Sequence, residues 1–175
     1  MRIDWKQLLA GHDDWTLVAN LPYNVATPLV ADILDFVPAV TRLLVMVQKE
    51  VGERFCAAPS TEAYGALTVK VAFHAQARIV GLVPASVFLP RPNVESALVE
   101  IERHTDPLDA DIDTTHLFSL VKGGFAKRRK MLRGALAGRV TPEQFEAAGI
   151  SPTARAEELS VHDWLRLAHT VGAAS

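Results

Sequence analysis

A chain of 175 residues that is 49% hydrophobic and 22% charged has the composition of a soluble globular protein, which excludes disordered, collagen-like and low-complexity classes. The length suits one full domain or two small ones, and a net charge of −2 with a pI near 6.3 gives, on average, no sign of a nucleic-acid partner. The single cysteine, Cys56, has no internal disulfide partner and suits a reducing cytosol. The longest uncharged apolar stretch, residues 79–90, is too short to span a bilayer and carries two prolines. No basic segment followed by an apolar run succeeds Met1, so the expected location is cytoplasmic, with no membrane partner.

Apolar runs at residues 16–20 and 43–48 end on the polar side chains Asn20 and Gln48, the pattern of buried parallel strands joined by a helix. The connecting residues 27–36 put Leu29, Val30, Ile33, Leu34 and Phe36 near one helical face, with Pro28 suited to a first turn. A short helix is predicted over 49–56, then a Ser/Pro loop at 59–63, an apolar stretch at 64–75, and strands over 77–83 and 97–102. Between those strands Pro84, Pro90 and Pro92 enforce a stiff, extended connection. Residues 104–111 are polar, acidic and proline-bearing, which reads as a domain boundary. Beyond it, helices are predicted near 112–122, 127–137, 142–148 and 161–171. Thr141-Pro142-Glu143-Gln144 has the N-cap, first-turn proline and capping-box glutamine of a helix start, and Ser160 with Asp163 resembles the same box. The expected architecture is α/β over residues 1–104, followed by a small all-α part over 105–175.

The overall charge conceals an asymmetry. Residues 122–139 contain Lys122, Lys127, Arg128, Arg129, Lys130, Arg133 and Arg139 and no acid, leaving 11 of the 18 Lys/Arg against all 20 Asp/Glu elsewhere. A solvated helix face is the ordinary reading of a charge run, but this one is compact, one-signed and without acids for i,i+4 pairing. A phosphate backbone is its natural counter-charge, because neutralised phosphates release condensed counterions. The preceding Gly123-Gly124 reads either as a place for the backbone to bend or as a simple helix break.

Asn20-Leu21-Pro22-Tyr23 closes the first predicted strand, and open α/β sheets bind ligands at such carboxyl ends. The four residues also suit an ordinary turn. Their chemistry fits an exocyclic base amine, whose lone pair is delocalised into the ring. Accepting its N–H groups on the Asn20 side-chain oxygen and the Leu21 carbonyl favours a more tetrahedral, more nucleophilic nitrogen, while Tyr23 stacks on the base. Phe88, in the rigid loop, offers a second aromatic wall, with core packing as the plain alternative.

Five motifs now stand in order: Asn20-Leu21-Pro22-Tyr23; Gln48-Lys49-Glu50-Val51-Gly52-Glu53-Arg54; the Phe-x-Pro-x-Pro-x-Val-x-Ser loop from Phe88 to Ser96; Phe125-Ala126-Lys127-Arg128-Arg129-Lys130; and Arg155-Ala156-Glu157-Glu158-Leu159-Ser160. Together they cover essentially the whole chain, and it resembles the ribosomal RNA small-subunit adenine dimethyltransferases of the KsgA/RsmA type. The resemblance implies methyl transfer from S-adenosylmethionine to the N6 atoms of two adjacent adenines near the 3′ end of 16S rRNA, in the small subunit or its 30S precursor. It implies a Rossmann-like sheet followed by a helical rRNA-binding domain. Asn20, with Leu21 and Pro22, would orient the amine and touch the methyl donor; Tyr23 and Phe88 would sandwich the adenine. Lys122, Lys127, Arg128, Arg129, Lys130 and Arg133 would hold rRNA, and Gln48, Lys49 and Glu50 would be structural or touch RNA. No metal is expected, and the six histidines form no close ligand pair.

One departure is large. The family carries a Gly-rich cofactor loop and acidic residues in its first strands, whereas this chain has no Gly-x-Gly and no strand–loop–helix unit in residues 1–15. Its opening, Met1-Arg2-Ile3-Asp4-Trp5, resembles the family's segment after the third-strand acid. The chain is therefore expected to represent the carboxyl-terminal half of the methyltransferase sheet plus the helical domain, and to bind S-adenosylmethionine weakly or not at all when alone. The alternatives are a large-subunit rRNA adenine methyltransferase of the antibiotic-resistance type, a mitochondrial transcription factor relative, and a non-catalytic RNA- or ribosome-binding module.

Overall fold

The two apolar runs fold as neighbouring strands, and the residues between them as a helix, because each presents one apolar face for burial. The structure is a computed structural model that describes residues 5–127 and 129–172, apart from the side chains of Lys6 and Tyr23. In chain order the elements are α1 (Trp5–Leu8), β1 (Trp15–Asn20), α2 (Tyr23–Phe36), β2 (Val40–Gln48), α3 (Lys49–Cys56), α4 (Ala66–His74), β3 (Ala75–Val83), β4 (Ser96–Arg103), α5 (Thr114–Phe125), α6 (Leu132–Ala135), α7 (Pro142–Ala147) and α8 (Val161–Gly172). Single 3₁₀ turns occur at Ala85–Val87 and Ala156–Glu158. The opening residues 1–4, read from sequence as following a strand, lie outside the described residues.

The chain divides into two compact units, residues 1–56 with 74–106, and residues 57–73 with 107–175. The break after Asp106 falls within the acidic linker. The segment 57–73, which the sequence grouped with the α/β portion, clusters with the helices instead, because Tyr64, Val69 and Phe73 are buried in the helical core.

The first unit is a sheet of order β1-β2-β4-β3, with β1 parallel to β2 and β4 antiparallel to both of its neighbours. In β2, Leu43, Val45 and Val47 are buried and pair in register with Ile101, Val99 and Ala97 of β4, forming one continuous apolar face. Helix α3 lies close on this sheet: a Cβ on Gly52 would come 3.0 Å from Val99 and 3.1 Å from Ala97. Helix α2 begins at Tyr23, four residues before the sequence expectation, so Pro28 falls inside it rather than in its first turn. The start is set by Pro22, whose carbonyl accepts from the Val25 and Ala26 amides at 2.9 and 3.1 Å. The other end of α2 is held by Arg103, whose guanidinium donates to the carbonyls of Ile33, Leu34, Val37 and Val40 at 2.8–3.2 Å.

The second unit packs Leu117, Leu120, Leu132, Leu136, Phe145, Trp164 and Leu167 around a helical core. Both sequence-read caps form: Thr141 and Gln144 make a reciprocal capping box, and Asp163 accepts from the Ser160 amide and hydroxyl at 2.8 and 2.6 Å. Of the helix expected over 127–137, the described residues form only the short α6 at Leu132–Ala135. Lys127 and Lys130 close a turn, and helix resumes only at Leu132, where the amides of Leu132 and Arg133 donate to Ala154 and Pro152. Four neighbouring like charges disfavour a helical stretch there. Gly123 and Gly124 neither bend nor break α5. A Cβ on the first would lie 2.6 Å from the Arg139 guanidinium and on the second 2.5 Å from the Trp164 ring, so each leaves room for a distant side chain.

Candidate nucleobase site

At the carboxyl end of β1, the ladder with β2 is extended one residue by the Leu21 amide, which donates to the Met46 carbonyl at 3.0 Å. Pro22 then turns the chain into α2. Asn20, Leu21, Pro22 and Asn24 thereby line one side of a cavity of about 550 Å³. Its other walls come from Met46 and Val47 on β2, from Phe88, Pro90 and Pro92 on the loop that precedes β4, and from Ser96 on β4 itself. The structure therefore brings together Asn20, Leu21, Pro22 and Phe88, 68 positions apart along the chain between the first and the last. Phe88 is half-buried; its amide closes the 3₁₀ turn on Ala85 at 3.3 Å, which with the flanking prolines fixes the ring's attachment. Tyr23 begins α2, and its side chain lies outside the described residues.

Among the described residues, no ionisable side chain lines the cavity. Its polar groups are amides and a hydroxyl, and neither the Asn20 side chain nor the Leu21 carbonyl is engaged in a hydrogen bond with another described residue. Two acceptors beside an aromatic ring and a proline-lined wall suit a flat base carrying an amine. The described lining carries no charged side chain to meet the sulfonium, ammonium and carboxylate of S-adenosylmethionine.

Lys49 and Glu50 are committed to neighbours. The Lys49 ammonium lies 3.1 Å from the Glu95 carboxylate, whose hydrogen bond and charge raise its pKa, and Glu50 pairs with Arg54 one turn on. Sequence reasoning passed over Asn24, Met46 and Val47. Ser96 was within a quoted motif without a role, and its signal was its place at the start of β4.

In the helical unit, Lys122, Lys127, Arg129, Lys130 and Arg133 are exposed, and none is ion-paired with a described carboxylate. Arg128 lies outside the described residues. Arg139 differs from the rest: its guanidinium donates to the Ser119 carbonyl and hydroxyl at 2.9 and 2.7 Å and is structural. Among the described residues, no group of three or more His, Cys, Asp or Glu is placed to hold a metal, and no helix is long and apolar enough to cross a membrane.

The fold is α/β with a Rossmann-like methyltransferase sheet. A dimethyladenosine transferase from Plasmodium falciparum superposes with a TM-score of 0.75 at 22% identity, covering 87% of this chain and 64% of that one. The 23S rRNA methyltransferase ErmE gives 0.69 at 21%, covering 94% and 69%. A family model described as ribosomal RNA adenine dimethylase matches residues 2–172, and the chain belongs to that family. Among its relatives are the proteins called ribosomal RNA small subunit methyltransferase A in Acidothermus cellulolyticus, 48% identical over 89% of this chain and 55% of that protein, and in Streptomyces avermitilis, 44% identical over 94% and 58%. The chain spans a little over half the length of these relatives.

Proposed function

We propose that the chain provides the base-binding and RNA-binding parts of a cytoplasmic, S-adenosylmethionine-dependent rRNA adenine-N6 dimethyltransferase acting on two adjacent adenines near the 3′ end of small-subunit rRNA. The observation that carries the reading is the pair of uncommitted acceptors, Asn20 and Leu21, on one cavity with Phe88. An extruded adenine stacked on Phe88 gains about 1–3 kcal/mol. Its N6 hydrogens donate to the Asn20 side-chain oxygen and the Leu21 carbonyl, which turns the nitrogen lone pair out of conjugation and aims it. Among the described residues the lining holds no ionisable group, and the reading assigns reactivity to this positioning. Tyr23 is assigned the opposite face of the base. Lys122, Lys127, Arg128, Arg129, Lys130 and Arg133 are assigned to rRNA phosphates, with no metal required.

The test joins this chain in cis to the amino-terminal half of the Acidothermus cellulolyticus relative and supplies radiolabelled S-adenosylmethionine with unmethylated small subunits. The fusion is expected to label small-subunit rRNA, Asn20→Ala in it to lose labelling, and the chain alone to give none. Labelling of large-subunit rRNA would favour the antibiotic-resistance branch. A cofactor-binding fusion that holds RNA without labelling it would make the chain a binding module.

A further inference from the structure

At the candidate site, the hydroxyl of one buried residue has no hydrogen-bond partner among the described residues. Ser96 opens β4 in register with Gln48 on β2 and Val83 on β3, and it is only 4% exposed. Among the described residues the only other buried polar side chain is Thr68, and it accepts from the Gly65 amide at 3.2 Å. The Ser96 hydroxyl makes no hydrogen bond to any described residue. Among the described residues, the unpaired polar side-chain atoms that are sealed from solvent belong to Trp15, His116 and Trp164. Ser96 Oγ is unpaired but not sealed, and the cavity that Ser96 lines is the space it opens on.

Ser96 and Asn20 stand across that cavity on β4 and β1, with β2 between them. Asn20 is in register with Met46 and Ser96 with Gln48, so they lie two strands across and two residues along. That is about 12 Å from backbone to backbone, a span on the scale of a base edge with a hydrogen bond at each end and a short side chain beyond each. Adenine's edge places the N6 donor beside the acceptor nitrogens N1 and N7. We propose that Ser96 is a base-contacting residue whose hydroxyl donates to an acceptor ring nitrogen flanking N6, while Asn20 and Leu21 accept from the amine. The pattern selects adenine over guanine, which presents an oxygen where the two acceptors face. The inference rests on reading the cavity as an adenine site.

The experiment titrates the isotopically labelled chain with adenosine 5′-monophosphate and its 1-deaza and 7-deaza analogues, following amide signals of Leu21, Val47 and Ala97. Ser96→Ala is expected to weaken binding of the natural nucleotide about three- to tenfold, with Ser96→Thr within about twofold of the parent. The analogue that lacks the contacted nitrogen is expected to bind the parent more weakly and Ser96→Ala no worse. Equal binding of all three probes by parent and a folded Ser96→Ala overturns the inference, as does an equal loss on all three. Absence of cavity shifts with the parent chain overturns the adenine reading itself, and the inference with it.

Discussion

A Cβ on Gly124 would lie 2.5 Å from Cη2 of Trp164, an aromatic ring at the centre of the helical core, while one on Gly134 meets only the flexible end of Lys130 at 3.8 Å. Gly124→Ala is expected to cost about 1–3 kcal/mol in urea denaturation through overpacking, more than the gain in helix propensity of up to about 1 kcal/mol. Gly134→Ala is expected to be neutral or better, and equal effects at both positions would contradict the packing argument. The glycine pair was ambiguous in sequence because its partners lie 16 and 40 positions away. Tyr64 makes a second residue-scale case. Its hydroxyl donates to the Leu159 carbonyl at 2.7 Å, and burial, with the Asp163 charge, pushes its pKa up to about 12. A folded pKa above the ordinary phenol value means stability intact below about pH 10 and lost as pH climbs from there toward 12. Tyr64→Phe is expected to cost about 1 kcal/mol at neutral pH and to flatten that alkaline loss, read by thermal melts across the pH range.

At the scale of elements, ends decide more than middles. Arg103 satisfies carbonyls at the last turn of α2 and at the start of β2. Arg103→Met is expected to destabilise the sheet unit by about 2–4 kcal/mol, with Arg103→Lys recovering only part, since one ammonium cannot reproduce the planar fork. At the start of α8, burial tends to raise the Asp163 carboxyl, but hydrogen bonds from Ser160 and the charge of Arg166 prevail and hold it below its usual range. Its contribution is therefore present above the ordinary carboxylate pKa and disappears as pH falls through the depressed value. Asp163→Asn is expected to flatten the acid limb of helical-unit stability. Both caps were legible because a capping box is local, a matter of residues three apart. The interrupted helix after Phe125 was not, since it depends on amides taken up by the Pro152 and Ala154 carbonyls from another loop; the start of α2 is local to Pro22, and its signal was passed over in favour of Pro28.

Over the whole molecule, a net charge of −2 coexists with a run of exposed, unpaired cations. Replacing Lys127, Arg128, Arg129 and Lys130 by alanine is expected to weaken binding to single-stranded rRNA fragments. The slope of log affinity against log salt should fall by about 0.7 for each phosphate that is no longer neutralised, and an unchanged slope would refute the assignment. The strands and the order of elements were readable from periodicity, and the cavity from the motifs at the end of β1 and before β4. The allegiance of residues 57–73 was not, because what buries Tyr64, Val69 and Phe73 is written up to a hundred residues later. That delay shapes synthesis. Tyr64 and the Leu159 carbonyl it bonds are 95 positions apart, so at about 5–20 residues per second the nascent segment waits roughly 5–20 s for its partners. Phe73 meets Phe118 after only 45 positions, so the apolar segment is covered in stages, and Tyr64 is the side chain that a holding chaperone has longest to protect.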